Sequence, residues 1–208
     1  MHSHSDTAQI AYRDLGPDAG TAAPAAQPCR AGRIVLHAAL ILLGLGGVAI
    51  VLVSTSRYGP ASFPDSALYL SAARSLLAGE GYRYYFGETY THWPPLYPTL
   101  LAAFGRMGVD PYVGARWLNS VAFGLIVFLS GQLFLRCTRS RALVLGATLS
   151  VLAAEPLLDW SVTVASEPVF MVLALLFLLS LTRFLRDRKL AGLLLVAVLA
   201  ALACLQRY

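Results

Sequence analysis

Hydrophobic positions along the chain gather into five long runs with sharp polar punctuation between them. Residues 34–53 give 20 successive positions without a charge, enough for a helix to cross the ~30 Å hydrocarbon core of a bilayer. Further runs follow at 113–135, 142–158, 169–185 and 190–205. The third is broken near its end by Glu155-Pro156. The fourth opens on Ser166-Glu167-Pro168 and closes on Arg186-Asp187-Arg188-Lys189. Ahead of the first run, residues 1–33 are rich in Ala, Pro, Gly and Asp and carry no periodicity, which predicts a disordered tail. His2 and His4 stand there as an isolated pair and imply no metal site. The expected class is therefore all-α and polytopic, with a membrane domain over 34–208.

Between the first two runs lies a polar stretch, 57–112, with a pattern of its own. Pro64, Asp65 and Ser66 are a helix start. Leu68, Ala72 and Leu76 recur at helical spacing, with Arg74 off that stripe, and Gly79 and Gly81 end the run. Pro94-Pro95 opens a second apolar run from Leu96 to Met107, which Gly108 closes. Two short amphipathic helices, joined by a turn rich in Gly and Tyr, are predicted to lie along the membrane surface.

Composition agrees: 57% of residues are hydrophobic and 13% charged, about half the charge of a soluble domain, and mean hydropathy is +0.64. Three widely spaced cysteines, Cys29, Cys137 and Cys204, imply no disulfide framework. The net charge of +5 is unevenly placed. Short loops rich in Arg and Lys stay in the cytoplasm. If the five runs alternate, Arg30, Arg33, Arg136, Arg139, Arg141 and the 186–189 turn share one side. The amino terminus is then cytoplasmic, and loop 57–112, residues 155–167 and Arg207 are outside. Seven of the carboxylates (Asp65, Glu80, Glu88, Asp110, Glu155, Asp159 and Glu167) fall on that outer side. Carboxylates do not set topology, so their bias points to a functional outer face.

The candidate chemistry sits there. Asp65 can cap its helix, or serve as a general base just above the lipid; the two roles are compatible. Glu167 at the head of a run suits the positive end of a helix dipole, and is the second candidate carboxylate. Arg207 can snorkel to the interface, or grip a phosphate, which a guanidinium matches bidentately. Arg57, Arg74, Arg83 and Arg106 run against the positive-inside trend and suggest an anionic ligand. Tyr82, Tyr84, Tyr85, Tyr90, Trp93 and Tyr97 fit an interfacial aromatic belt or a surface for stacking sugar rings. No Ser-His-Asp set, zinc ligand set or nucleic-acid surface is spelled out. A transporter or flippase would place carboxylates or broken helices in mid-membrane, whereas these runs are almost free of charge.

Asp65-Ser-Ala-Leu-Tyr69-Leu-Ser-Ala-Ala73-Arg74, then Gly79-Glu-Gly81-Tyr82, then Trp93-Pro-Pro-Leu-Tyr97-Pro98, all behind a first run, together resemble the polytopic GT-C-type glycosyltransferases. The likeness is to the bacterial branch that includes protein mannosyltransferases and lipid A aminoarabinose transferases. It spans about 34–208, the amino-terminal half of a usual member, so the chain is expected to be a fragment. The resemblance implies an integral protein of the bacterial inner membrane. It would move a sugar from a polyprenyl-phosphate donor to a glycan, lipid or protein acceptor on the outer face. Asp65 would be the catalytic carboxylate with Glu167 beside it, and Arg207, Tyr69, Arg74, His92, Trp93 and Tyr97 would contact substrate. Many members carry a second acid just after the Asp; here Ser66 and Ala67 stand there, so a metal held by paired carboxylates is not expected and no cofactor is assigned. The position before the double proline, often Lys, is Trp93. The alternative reading is a non-catalytic membrane scaffold or a transporter subunit.

Overall fold

The computed structural model describes residues 30–207, with side chains from residue 32 onward. The expected tail therefore lies mostly outside the described residues, as do His2, His4 and Cys29. Its last four residues do not belong to it: they form the first turn of helix α1, Arg30–Ser54.

Seven more helices follow, and no regular strand occurs among the described residues: α2 (Pro64–Ala78), α3 (Leu96–Arg106), α4 (Pro111–Cys137), α5 (Arg141–Leu152), α6 (Glu155–Ser161), α7 (Glu167–Asp187) and α8 (Leu190–Gln206). Local chemistry sets their ends. Pro64 fits the first turn of α2, and Gly79 closes it in the left-handed region at φ 79°, its N–H reaching the Leu76 carbonyl. Asp110 caps α4, its Oδ1 accepting the Tyr112 N–H at 2.8 Å ahead of Pro111.

Helix α4 is the spine. It packs against α3, α5, α6 and α7, and its glycines let α1 approach closely. A Cβ on Gly124 would stand 2.6 Å from the Gly44 carbonyl oxygen, a backbone clash that no rotamer change relieves. Near the start of α4, Arg116 reaches back to the end of α1, donating to Thr55 Oγ1 at 2.9 Å and the Leu52 carbonyl at 2.8 Å. Those oxygens lie where a helix runs out of backbone partners. At the far end of α4, Arg136 donates to the Leu179 carbonyl and to Thr182 of α7. Helices α4 and α7 therefore run side by side in the same direction. The bundle has two chemically distinct ends. Helices α2, α3 and α6 and the starts of α4 and α7 make the acidic one. The α4–α5 and α7–α8 turns make the basic one.

Three helices are long and apolar enough to cross a membrane: Gly32–Ser54, Pro111–Cys137 and Glu167–Asp187. A fourth span is possible if α5 and α6, bent by 51° at their junction, count as one. The fifth run forms the helix expected of it, to within one residue, but a short one. Helix α8 has 17 residues, so at 1.5 Å per residue it extends about 25 Å, short of a full hydrocarbon core.

The 57–112 stretch folds as two helices, as its pattern predicts. Ala72 is fully buried, Leu68 and Leu76 pack on the core, and Arg74 is exposed. Between the helices a short hairpin pairs Arg83 with Thr89. The aromatic run packs largely on itself: Tyr84 lies 4.9 Å from Phe86 and 5.0 Å from Tyr90, ring centre to ring centre. Tyr84 and Tyr90 are consequently buried.

Candidate active site

At the acidic end a strap of chain, residues 162–166, runs between α6 and α7 and ties three parts of the sequence together. Ala61 pairs with it in the manner of a parallel strand: its N–H donates to the Val162 carbonyl at 2.8 Å, and its carbonyl accepts from Val164 at 2.9 Å. On the other side Asn119 of α4, 1% exposed, donates from its amide to the Thr163 carbonyl at 2.6 Å and the Ala165 carbonyl at 3.2 Å. Its Oδ1 accepts the hydroxyl of the fully buried Tyr97 at 3.3 Å. Asn119 therefore satisfies groups that would otherwise be buried bare.

The strap receives the head of α2. Ser66 Oγ donates to the Val164 carbonyl at 2.7 Å and accepts the Phe63 N–H at 3.0 Å. The backbone at the helix start is thus served by Ser66. Asp65, one turn position earlier, makes no capping bond, so the capping role expected for it falls to its neighbour. Asp65 is exposed. Its place in the first turn still suits a negative charge.

One helical turn on, the Tyr69 hydroxyl lies 3.1 Å from Ser166 Oγ. The Ser166 carbonyl in turn accepts from the buried Gln206 amide at 2.9 Å, which draws the end of α8 onto the start of α7. Arg207 then reaches Glu167, Nη1 to Oε1 at 3.1 Å.

These contacts surround a cavity of about 210 Å³ lined by Phe63, Asp65, Tyr69, Trp160 and Glu167 among others. Two carboxylates, a phenol and an indole, drawn from positions about a hundred residues apart, thus share one opening. Phe63 and Trp160 flank it with ring centres 6.4 Å apart. The Tyr69 hydroxyl senses all the charges: burial pushes its pKa above the ordinary phenol value, Glu167 and Asp65 push the same way, and the Ser166 bond and Arg207 oppose them. It is a neutral hydroxyl at ordinary pH. Burial likewise raises the Tyr97 phenol far above its usual range.

Asp65, Tyr69, Glu167 and Arg207 are therefore brought together. The other candidates are not. Trp93 stands behind Tyr69, edge to face at 6.2 Å, and Tyr97 does the same at 5.1 Å. Full burial makes Tyr97 a support for Tyr69, and corrects its assignment as a substrate contact. Arg74 is on the wrong side of α2: nine residues at about 100° each put it half a turn from Asp65. It faces Asp110 at 3.5 Å and lines a separate cavity of about 620 Å³ with Arg83 and Tyr85. His92 is exposed, its ring edge-on to Trp93 at 5.4 Å, and it lines neither cavity. Sequence reasoning passed over Ser66, Ser166, Gln206 and Trp160 as site residues. Asn119 alone carried a readable signal, because a buried amide in an apolar helix must find partners. No family model, curated protein or solved structure matches the chain.

Proposed function

We propose that the chain is an integral membrane glycosyltransferase that moves a sugar from a polyprenyl-phosphate donor to an acceptor hydroxyl at the outer face of the bacterial inner membrane. The observation that supports this reading is that Asp65 and Glu167 line one small cavity at the acidic end of an apolar bundle, with Arg207 paired to Glu167. Asp65 is accessible and makes no ion pair among the described residues, whereas Glu167 is held by Arg207. The two carboxylates thus have different work. Asp65 takes the proton of the acceptor hydroxyl, which is a weak nucleophile without a base. The acceptor oxygen bonds to the anomeric carbon as the bond from that carbon to the phosphate oxygen breaks, with inversion. The polyprenyl phosphate leaves with the electron pair, and Arg207 stabilises its charge. A partly exposed guanidinium–carboxylate pair contributes only about 0–1 kcal/mol, so a lipid phosphate can share Arg207 with Glu167 at little cost. Trp160 and Phe63 offer the apolar ring faces on which a sugar stacks.

The lipid-linked donor accounts for the apolar exterior, where Ile41, Leu42, Leu45 and Val53 of α1 and Leu178 and Leu185 of α7 are all exposed. In this reading the 142–158 and 190–205 runs complete five spans, the shorter α8 being met by local thinning of the bilayer.

Proteoliposomes containing the chain should consume a polyprenyl-phosphate sugar and release polyprenyl phosphate, while a nucleotide sugar is left intact. Turnover of the nucleotide sugar instead would rule out the lipid-linked donor.

Sidedness is tested by thiol labelling in a variant lacking the native cysteines. A cysteine at Glu88, in the exposed hairpin, should react with an impermeant reagent applied to intact cells, and one at Arg139 only after lysis. Glu88 is the better position than Gly87, whose φ of 89° would strain any side chain. The reverse pattern would put the cavity in the cytoplasm and refute the outer-face assignment.

A further inference from the structure

A second built cavity lies at the opposite, basic end, where α4, α7 and α8 meet. It measures about 350 Å³, within the range of ligand clefts, and its mouth carries Arg136, Arg183 and Lys189 against one carboxylate, Asp187. Apart from Ser180 the rest of the lining is apolar, with Leu179 and Phe184 from α7 and Ala191 and Leu195 from α8. The outward surfaces of the same two helices continue apolar through Leu178, Leu185 and Leu194.

The cations are positioned and only partly neutralised. Arg136 is pinned across to α7 through one nitrogen, Nη1, which donates to the Leu179 carbonyl and Thr182 Oγ1. The rest of its donor fork remains for a ligand. Asp187 is shared between Arg183 at 3.5 Å and Arg186 at 3.0 Å, so it cannot neutralise the mouth by itself. Lys189 is placed by the left-handed turn at Arg188, φ 51°, which reverses the chain into α8.

A cationic rim over an apolar groove at the end of membrane-length helices fits one chemical class, an amphiphile with an anionic head. We infer that this groove binds an anionic phospholipid, its phosphate among Arg136, Arg183 and Lys189 and an acyl chain against Phe184 and Leu195. A zwitterionic lipid fits less well, because its outer ammonium would face the same cations. The inference goes beyond the transfer reaction and does not depend on it, since it uses no residue of the acidic end.

The test is titration of the detergent-purified chain with phosphatidylglycerol and with phosphatidylcholine, counting bound lipids by native mass spectrometry. Phosphatidylglycerol should bind at least tenfold more tightly. Juxtamembrane cations each contribute about a fivefold factor, so Arg183→Gln with Lys189→Gln should weaken it by roughly 25-fold. Arg183→Lys, which keeps the charge, should retain most binding and shows that the fold tolerates change there. Arg139→Gln, at the same end but outside the groove, should change affinity less than twofold. Three results would overturn the assignment. They are equal affinity for the two lipids, an equal loss in the Arg139 variant, which would mean diffuse attraction, and full competition by glycerol phosphate, which would mean a site for the free anion alone.

Discussion

Asp65→Asn should lower sugar transfer by about 10²–10⁴-fold, the usual contribution of a positioned proton acceptor, while expression and thermal stability stay close to those of the parent. The local geometry makes this substitution unusually clean. Had Asp65 capped α2, the variant would mix a structural loss with a chemical one. Instead Ser66 takes the Phe63 N–H and anchors the helix to Val164, and the Asp65 carboxylate stands exposed in the opening with no hydrogen-bond or ion-pair partner among the described residues. Removing its charge forfeits only the interaction with the helix dipole, about 0.3–1 kcal/mol at an exposed position. Glu167→Gln is the informative companion. It breaks the 3.1 Å pair with Arg207 but leaves the proposed base untouched. Because Glu167 would act through Arg207, the effect should fall on the donor KM, by roughly fivefold for a pair worth up to about 1 kcal/mol, with kcat little changed. A split of that kind separates base from positioning residue. Near-normal transfer by Asp65→Asn would remove Asp65 from the chemistry and make Glu167 the first candidate.

The helices were legible because their signals are local. Pro64, Gly79 and Pro95 each state a start or stop in the residues themselves, and the structure follows them to within a residue or two. Long apolar runs announced α1, α4 and α7 in the same way. The site was legible only in part, since what assembles it is contact between distant residues. Ser66 looks in the sequence like a missing acid; its work is to meet a carbonyl 98 positions away. The strap around Val164 has no periodicity to betray that Asn119, Ala61 and Ser66 all converge on it. Tyr97 looks like part of an aromatic surface and is instead a fully buried ring of the core. Arg74 shows the opposite failure. Its charge against the positive-inside trend, and its place in the motif that begins at Asp65, suggested a shared site, yet helical phase alone places it on the far side of α2. Helix α8 follows its run of 190–205 to within one residue, but its 17 residues leave it shorter than α1, α4 and α7.

Asn119→Leu should be the most damaging single change in the bundle that touches no proposed reacting group. Leucine fills similar space in α4, but it can neither donate to the Thr163 and Ala165 carbonyls nor accept the Tyr97 hydroxyl. Each buried group left bare costs about 1–3 kcal/mol, and with some relaxation the sum should be about 3–5 kcal/mol. For a chain of this size that corresponds to a fall of about 10 °C in the melting temperature, readable in detergent by thermal unfolding. Transfer should fall as well, because the strap carries Val164, which holds Ser66, and Ser166, which meets Tyr69. The decisive comparison is a double variant. Tyr97→Phe removes the hydroxyl that Asn119→Leu strands, and deleting both partners of a buried bond is far gentler than deleting one. The two changes together should therefore cost less than the sum of their separate costs, by about 1 kcal/mol or more. Strict additivity would show that the two side chains do not support each other. An Asn119→Leu protein as stable as the parent would mean that Ala61, Ser66, Tyr69 and Gln206 hold the strap without Asn119, and Asn119 would lose its part in shaping the cavity around Asp65.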